Sequence, residues 1–321
     1  MNFSIERLEE NGLSLVRLRD TVTKVEVDIL PAYGALLHAF RVPVGDQLFN
    51  IVDNYRTTEE IEEQLSRSYK SSKLSPFVCR IPEGKYHWLD TDYEISNKFV
   101  DGSAIHGLLF NKPFLIGDEY VSEELASIRL KYHYKKQDPG YPFDYTCEVV
   151  YMLHPDAVLQ IETTILNLDA HTIPIADGWH PYFSLGGKID NYEMQFASDS
   201  MLEFDEKLIP TGRIISDPSF KEPALIKDRK FDNCFLLLVE EGQPSCVLHN
   251  PENNLSLSFF VNNNYPYLQI YTPDHRNSIA IENLSGAPDC FNNGMGLKSI
   301  LPRHSDTFNV WYRAGITAQI E

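Results

Sequence analysis

The chain has 321 residues, with 28 basic and 46 acidic side chains and a formal net charge of −18 at pH 7. Such a field repels a phosphate backbone and argues against a nucleic-acid partner. A hydrophobic content of 43% and an aromatic content of 12% exclude a disordered chain, and the length is enough to bury a stable core without covalent staples.

The opening stretch, "MNFSIERLEENGLSLV", has no apolar run behind a basic start. No later stretch approaches the roughly 18 apolar residues of a membrane helix. A cytoplasmic protein with no membrane partner is expected. Residues 56–72, "RTTEEIEEQLSRSYKSS", offer Thr57 or Thr58 as an N-cap and glutamates in the first turn. Ile61, Leu65 and Tyr69 then recur on one face, which predicts a helix of about four turns.

Period two dominates elsewhere. In "SIRLKYHYK" (127–135), Ile128, Leu130, Tyr132 and Tyr134 face one way, and Arg129, Lys131, His133 and Lys135 the other. Residues 159–168, 255–261 and 267–272 alternate similarly, separated by turn sequences such as "DPGYP" and "NNNYP". No linker or repeat divides the chain. The expected fold is all-β: one large antiparallel β-sandwich domain over 1–321 with little helix.

Several chemistries lack their signatures. The chain has no Walker loop, HExxH or GxSxG, and "GMG" (294–296) is no dinucleotide fingerprint. Five cysteines (79, 147, 234, 246, 290) are odd in number and lack CxxC spacing, so neither a disulfide framework nor a zinc site is expected. Ten histidines are dispersed without ligand spacing, so no metal is expected either. Cys79 beside Arg80 would be a nucleophile if its pKa were lowered; a small buried hydrophobe is the preferred reading.

Four segments stand apart. In "SPFVCRIPEGKYHW" (75–88), Arg80 sits amid apolar residues, as a salt-bridged staple or a clamp for an oxygen-rich ligand. In "GSAIHGLLF" (102–110), His106 precedes Gly107, which permits a close approach. In "ADGWHPYFSL" (176–185), His180 and Pro181 interrupt an aromatic strand; proline removes a ladder donor, so this is an edge, a bulge or a strand end. In "SIAIENLSGAPDCFNNG" (278–294), Ile279 and Ile281 share one face, and Ser278, Ala280 and Glu282 the other. The apolar neighbours make an idle carboxylate at 282 costly.

The order and context of these segments resemble aldose 1-epimerases, the galactose mutarotase family, over roughly residues 25–315. "IHGLLF" is similar to that family's Leu-His-Gly-Gly segment, and "LNLDAHTIPIADGWHPYFSL" to its Asn…Pro…His-x-Tyr-Phe segment. "DRKFDNCFLL" (228–237) resembles the stretch carrying a substrate-binding aspartate. "YLQIYTPD" and "IAIENLSGAPDCFNNGMGLKSILPRHS" resemble the C-terminal strands with the catalytic glutamate. The resemblance implies a mutarotase-like supersandwich with its site in a groove on one sheet. It implies His180 as general acid and Glu282 as general base, and Arg80, His106, Asp232 and Gln269 as sugar-binding residues.

An aldose opens when its C1 hydroxyl loses a proton and its ring oxygen gains one, so one base, one acid and no cofactor suffice. An unperturbed histidine, with a pKa of about 6.5, suits the acid. Trp179 or Tyr182 is the candidate aromatic wall. The only expected partner is a small sugar, and the chain is expected to be a monomer or homodimer. Departures from the family pattern, Cys79 for asparagine and Leu108 for glycine, bear on which sugar is read. A hexose-phosphate 1-epimerase would need a basic pocket from Arg80 with Lys73 or Lys85. A glycoside hydrolase would pair Asp232 with Glu282. A binding module on this fold would need no acid–base pair.

Overall fold

Alternating burial builds two large antiparallel sheets in the computed structural model, which describes residues 1–316. Residues 317–321, the end of the span expected to form one domain, lie outside the described residues. The larger sheet has nine strands, in the order Leu115–Val121, Ala126–Lys135, Asp144–His154, Val158–Asn167, Ser305–Ile316, Leu255–Val261, Cys246–Asn250, Glu193–Phe196 and Ala224–Leu225. In Ala126–Lys135, Ile128, Leu130 and Tyr134 are buried while Lys131, His133 and Lys135 are exposed. The predicted alternation is thus the observed one.

The second sheet has eight strands. Its path runs Pro210–Ser216, Ser200–Phe204, Asp232–Leu236, Tyr267–Tyr271, Ile279–Leu284, Gly178–Trp179 and Lys73–Leu74, and Tyr182–Phe183 also pairs with Ile279–Leu284. The inner faces of the two sheets meet through aromatic rings. Phe183 packs edge-on to Phe259 and Tyr312 at 5.2 and 5.5 Å between centroids. Trp179 meets Tyr151 at 6.0 Å. These contacts make a sandwich whose core is apolar on both inner faces. A five-stranded meander from Phe3–Glu10 to Gln47–Asn50 precedes them.

The predicted helix is Thr58–Ser68, about three turns. Thr57 is its cap and accepts from the Glu60 amide at 3.2 Å, while the Glu60 carboxylate accepts from the Arg56 amide at 2.7 Å. Ile61 and Leu65 are buried. The helix stops a turn early because Tyr69 adopts the left-handed conformation, its amide donating to the Leu65 carbonyl. That turn swings the Tyr69 ring against His106, at 4.7 Å between centroids.

One ion pair lies wholly inside the core. Lys73 Nζ donates to Asp177 Oδ1 at 2.6 Å, and both side chains are fully buried. Tyr265 donates to the same carboxylate oxygen at 2.6 Å, and the ammonium sits 4.4 Å above the Trp179 ring. Lys73 therefore cannot serve a phosphate pocket. Lys85 cannot either: it pairs with Glu83 at 2.7 Å on an exposed turn. All five cysteines are free and buried, and among the described residues no helix is long and apolar enough to cross a membrane.

Candidate active site

Strand register places the site. Gly178 pairs with Leu284 and Tyr182 with Ala280, which brackets His180 opposite Glu282. Glu282 pairs in turn with Gln269, and Gln269 with Cys234. Directly paired residues share a face. His180, Glu282, Gln269 and Cys234 thus form one row across neighbouring strands. Tyr182, Ala280, Tyr271 and Asp232 form the next row by the same pairings. Ala280 is the small member of its row and leaves room beside the carboxylate. Its neighbour on that face, Ser278, donates to Asp53 at 2.7 Å.

Pro181 explains why the strand breaks here. It has no amide to donate, but its carbonyl accepts from the Ile281 amide at 3.2 Å, so the register survives the interruption. His180 is anchored at both backbone groups, its amide donating to Ser72 and its carbonyl accepting from Ser71. Period two then sends neighbours opposite ways. His180 and Tyr182 face outward, their rings stacked at 5.1 Å, while Trp179 points into the core. Of the two candidate aromatic walls, Tyr182 borders the cavity and Trp179 does not.

Above these rows lies a cavity of about 490 Å³. All six residues singled out in the sequence border it: Arg80, His106, His180, Asp232, Gln269 and Glu282. Arg80 lies in a two-stranded ribbon in which it pairs with Ile105, and His106 follows directly, its amide donating to the Cys79 carbonyl at 2.9 Å. Gly107 lets this ribbon close on the sheet. It adopts a φ of +78°, and a Cβ there would lie 2.4 Å from the Ser75 carbonyl oxygen. Arg80 pairs with Asp101 at the rim. Asp232 accepts from Gln269 Nε2 at 2.9 Å. Tyr69, Phe99, Tyr271, Arg67 and Lys70 also border the cavity and were missed in the sequence. Tyr271 had a signal, two residues beyond Gln269 on one strand. Tyr69 had none, because its direction follows from a helix-ending backbone turn.

His180 Nε2 lies 3.3 Å from Glu282 Oε1, with both side chains nearly sealed from solvent. Burial lowers His180 to about 4, contrary to the imidazolium that an ordinary pKa allows. Burial also raises Glu282 well above the usual carboxylate range, helped by the charge of Asp232. Both shifts disfavour charge, which favours a neutral imidazole beside an uncharged carboxyl over a fixed ion pair. His106 is pushed well below the ordinary histidine value by burial, then by His180 and Arg80. The Cys79 thiol at the cavity wall is pushed up by burial, which makes it a small apolar contact and no nucleophile. His106, His180 and Glu282, scattered in sequence, offer ligand atoms within 4.8 Å of one another. The dispersed histidine spacing had hidden that arrangement.

Comparison with known proteins adds a lineage. The sequence model of the aldose 1-epimerase family matches residues 14–300. A Streptococcus thermophilus aldose 1-epimerase is 28% identical over 263 residues, covering 75% of this chain and 72% of its own. The uncharacterized Escherichia coli protein YihR is 26% identical over 242 residues, covering 73% and 76%. A galactose mutarotase-like protein from Clostridium acetobutylicum superimposes with a TM-score of 0.85 at 16% identity, covering 98% of both chains. Galactose 1-epimerase from Lactobacillus acidophilus gives 0.80 at 16%, covering 98% and 99%. The last two are likenesses of fold.

Proposed function

Because this chain belongs to the aldose 1-epimerase family, we propose that it interconverts the α and β anomers of a free aldose, acting as one sandwich domain. The observation that carries this reading is the His180–Glu282 pair, 3.3 Å apart on the floor of a sugar-sized cavity. The substrate enters with its C1 hydroxyl toward Glu282 and its ring oxygen toward His180. Two charge-assisted hydrogen bonds to the sugar stabilise the ionised form of the pair, imidazolium and carboxylate, which burial by itself disfavours. Glu282 takes the O1 proton, the C1=O1 double bond forms and the C1–O5 bond breaks. His180 gives its proton to O5. The aldehyde turns about C1–C2 and recloses with both proton transfers reversed. The pair ends the cycle with its single proton restored. Arg80, His106, Asp232 and Gln269 hold the hydroxyls, and Tyr182 borders the ring.

One proton per pair fixes a pH profile. The kcat/KM is expected to be flat across neutrality. It falls on the acid side near pH 4, where His180 takes a second proton, and on the alkaline side where Glu282, raised by burial, loses the last one. An acid limb near the ordinary imidazole value of about 6.5 would overturn the reading of a neutral imidazole beside an uncharged carboxyl.

Polarimetry on fresh α-anomers of glucose, galactose and xylose tests the reaction itself. The expected result is a faster approach to anomeric equilibrium on at least one of them. The spontaneous rate on every free sugar would sink the reading. A second reading, a sugar-phosphate substrate, is favoured by one observation: Arg67 borders the cavity with no ionic partner among the described residues. If it holds, phosphate esters outrun free sugars, and Arg67→Ala lowers kcat/KM for the ester alone.

A further inference from the structure

His106, His180 and Glu282 reach the cavity floor from three separate segments, and their ligand atoms lie within 4.8 Å of one another. Two imidazoles and one carboxylate make a donor set that suits zinc with a fourth position open. Metal–ligand bonds of about 2.0–2.2 Å in a tetrahedral site put neighbouring donors roughly 3.4 Å apart. His180 Nε2 and Glu282 Oε1 already stand 3.3 Å apart. One edge of the tetrahedron is therefore formed, and a small movement of the His106 ring completes the face.

The three side chains are also short of partners. They are 9%, 5% and 2% exposed. His106 Nδ1, His180 Nδ1 and Glu282 Oε2 are buried without a hydrogen bond. No protein hydrogen bond reaches either ring nitrogen of His106 among the described residues. Buried polar atoms left open in this way are costly unless something in the cavity satisfies them. The sugar is one such group, and a metal ion is another. The carboxylate of Asp232, on the same floor, adds to the attraction for a cation.

We propose that His106, His180 and Glu282 form a binding site for one divalent transition ion of the zinc class, and that the bound ion excludes the sugar and arrests the acid–base pair. Coordination uses the His180 lone pair and the Glu282 oxygen that the ring-opening step needs, and the ion occupies the space of C1 and its two oxygens. Sugar and ion are then mutually exclusive. Magnesium, which prefers six oxygens, finds too few here. The metal site stands on geometry alone; the inhibition rests on the mutarotase reading.

Cobalt(II) separates the two. The full chain, stripped with a chelator, is titrated with Co²⁺ while visible d–d absorption is followed. Intense low-coordinate bands saturating at one ion per chain are expected. They should disappear in His106→Ala and in the near-isosteric Glu282→Gln, and be bleached by a sugar that the protein turns over. In parallel polarimetry, Zn²⁺ is expected to raise KM with kcat unchanged, a chelator to restore it, and Mg²⁺ to do nothing. Absence of the bands, or bands that persist in both variants, overturns the site. Bands that form while Zn²⁺ leaves turnover untouched overturn the arrest. If the bands form but no sugar is turned over, the metal site stands and the anomer reading falls.

Discussion

Glu282→Gln is expected to slow anomerisation by about 10²–10⁴-fold, the usual contribution of a positioned acid–base group. The amide keeps the shape and cannot take the O1 proton. The control lies in stability. A carboxyl whose folded pKa is raised contributes stability that is present below its unfolded pKa and is lost as pH rises through the folded value. For Glu282 that loss begins above the ordinary carboxylate value of about 4.5. Glutamine carries no such penalty. The variant is therefore expected to unfold at a higher temperature than the parent at pH 7 to 8, with the gap closing toward pH 4.5. An inactive variant that is also less stable at neutral pH would mean that the residue's charge holds the fold together, and the base assignment would lose its support. An active one would remove Glu282 from the reaction.

Lys73→Met is expected to cost about 3–5 kcal/mol of folding stability, because it strands the fully buried Asp177 carboxylate. Tyr265 still donates to Asp177 Oδ1, but Oδ2 has no partner even in the parent. Burial already raises the Asp177 pKa against the opposing pull of Lys73. The measurement is equilibrium urea unfolding of Lys73→Met and of Lys73→Met with Asp177→Leu. The double variant should recover much of the loss, since a buried pair replaced by apolar groups is far less costly than one broken. Equal losses in both would show that packing around Trp179, not charge, sets the effect. The location gives the pair a second consequence. Asp177 and Gly178 lead directly into His180, and the Ser285 amide beside the Glu282 strand donates to the Asp177 carbonyl at 2.8 Å. The staple thus ties together the segments carrying His180 and Glu282.

How much of this was legible in the chain differs by level. Strand alternation was, because a period of two with one buried face leaves its mark residue by residue, as in Ala126–Lys135. The cap of the helix was, because Thr57 and Glu60 satisfy amides within their own turn. The helix end was not, since Tyr69 gives no local sign that it will adopt a left-handed backbone. Lys73 and Lys85 looked equally free in the sequence; only burial separates a core staple from a surface pair.

The sequence by itself determined an all-β chain, a family resemblance and six residues that line one cavity. Those are matters of local period and motif. The tertiary structure decided which residues stand opposite one another. Cross-strand register puts His180 over Glu282, a hundred residues apart in number, and the same burial that brings them within 3.3 Å strips away the water that would let either hold a charge alone. Register and desolvation are properties of neighbours in space. No period along the chain encodes them, and they push an ordinary histidine and an ordinary glutamate toward their uncharged forms.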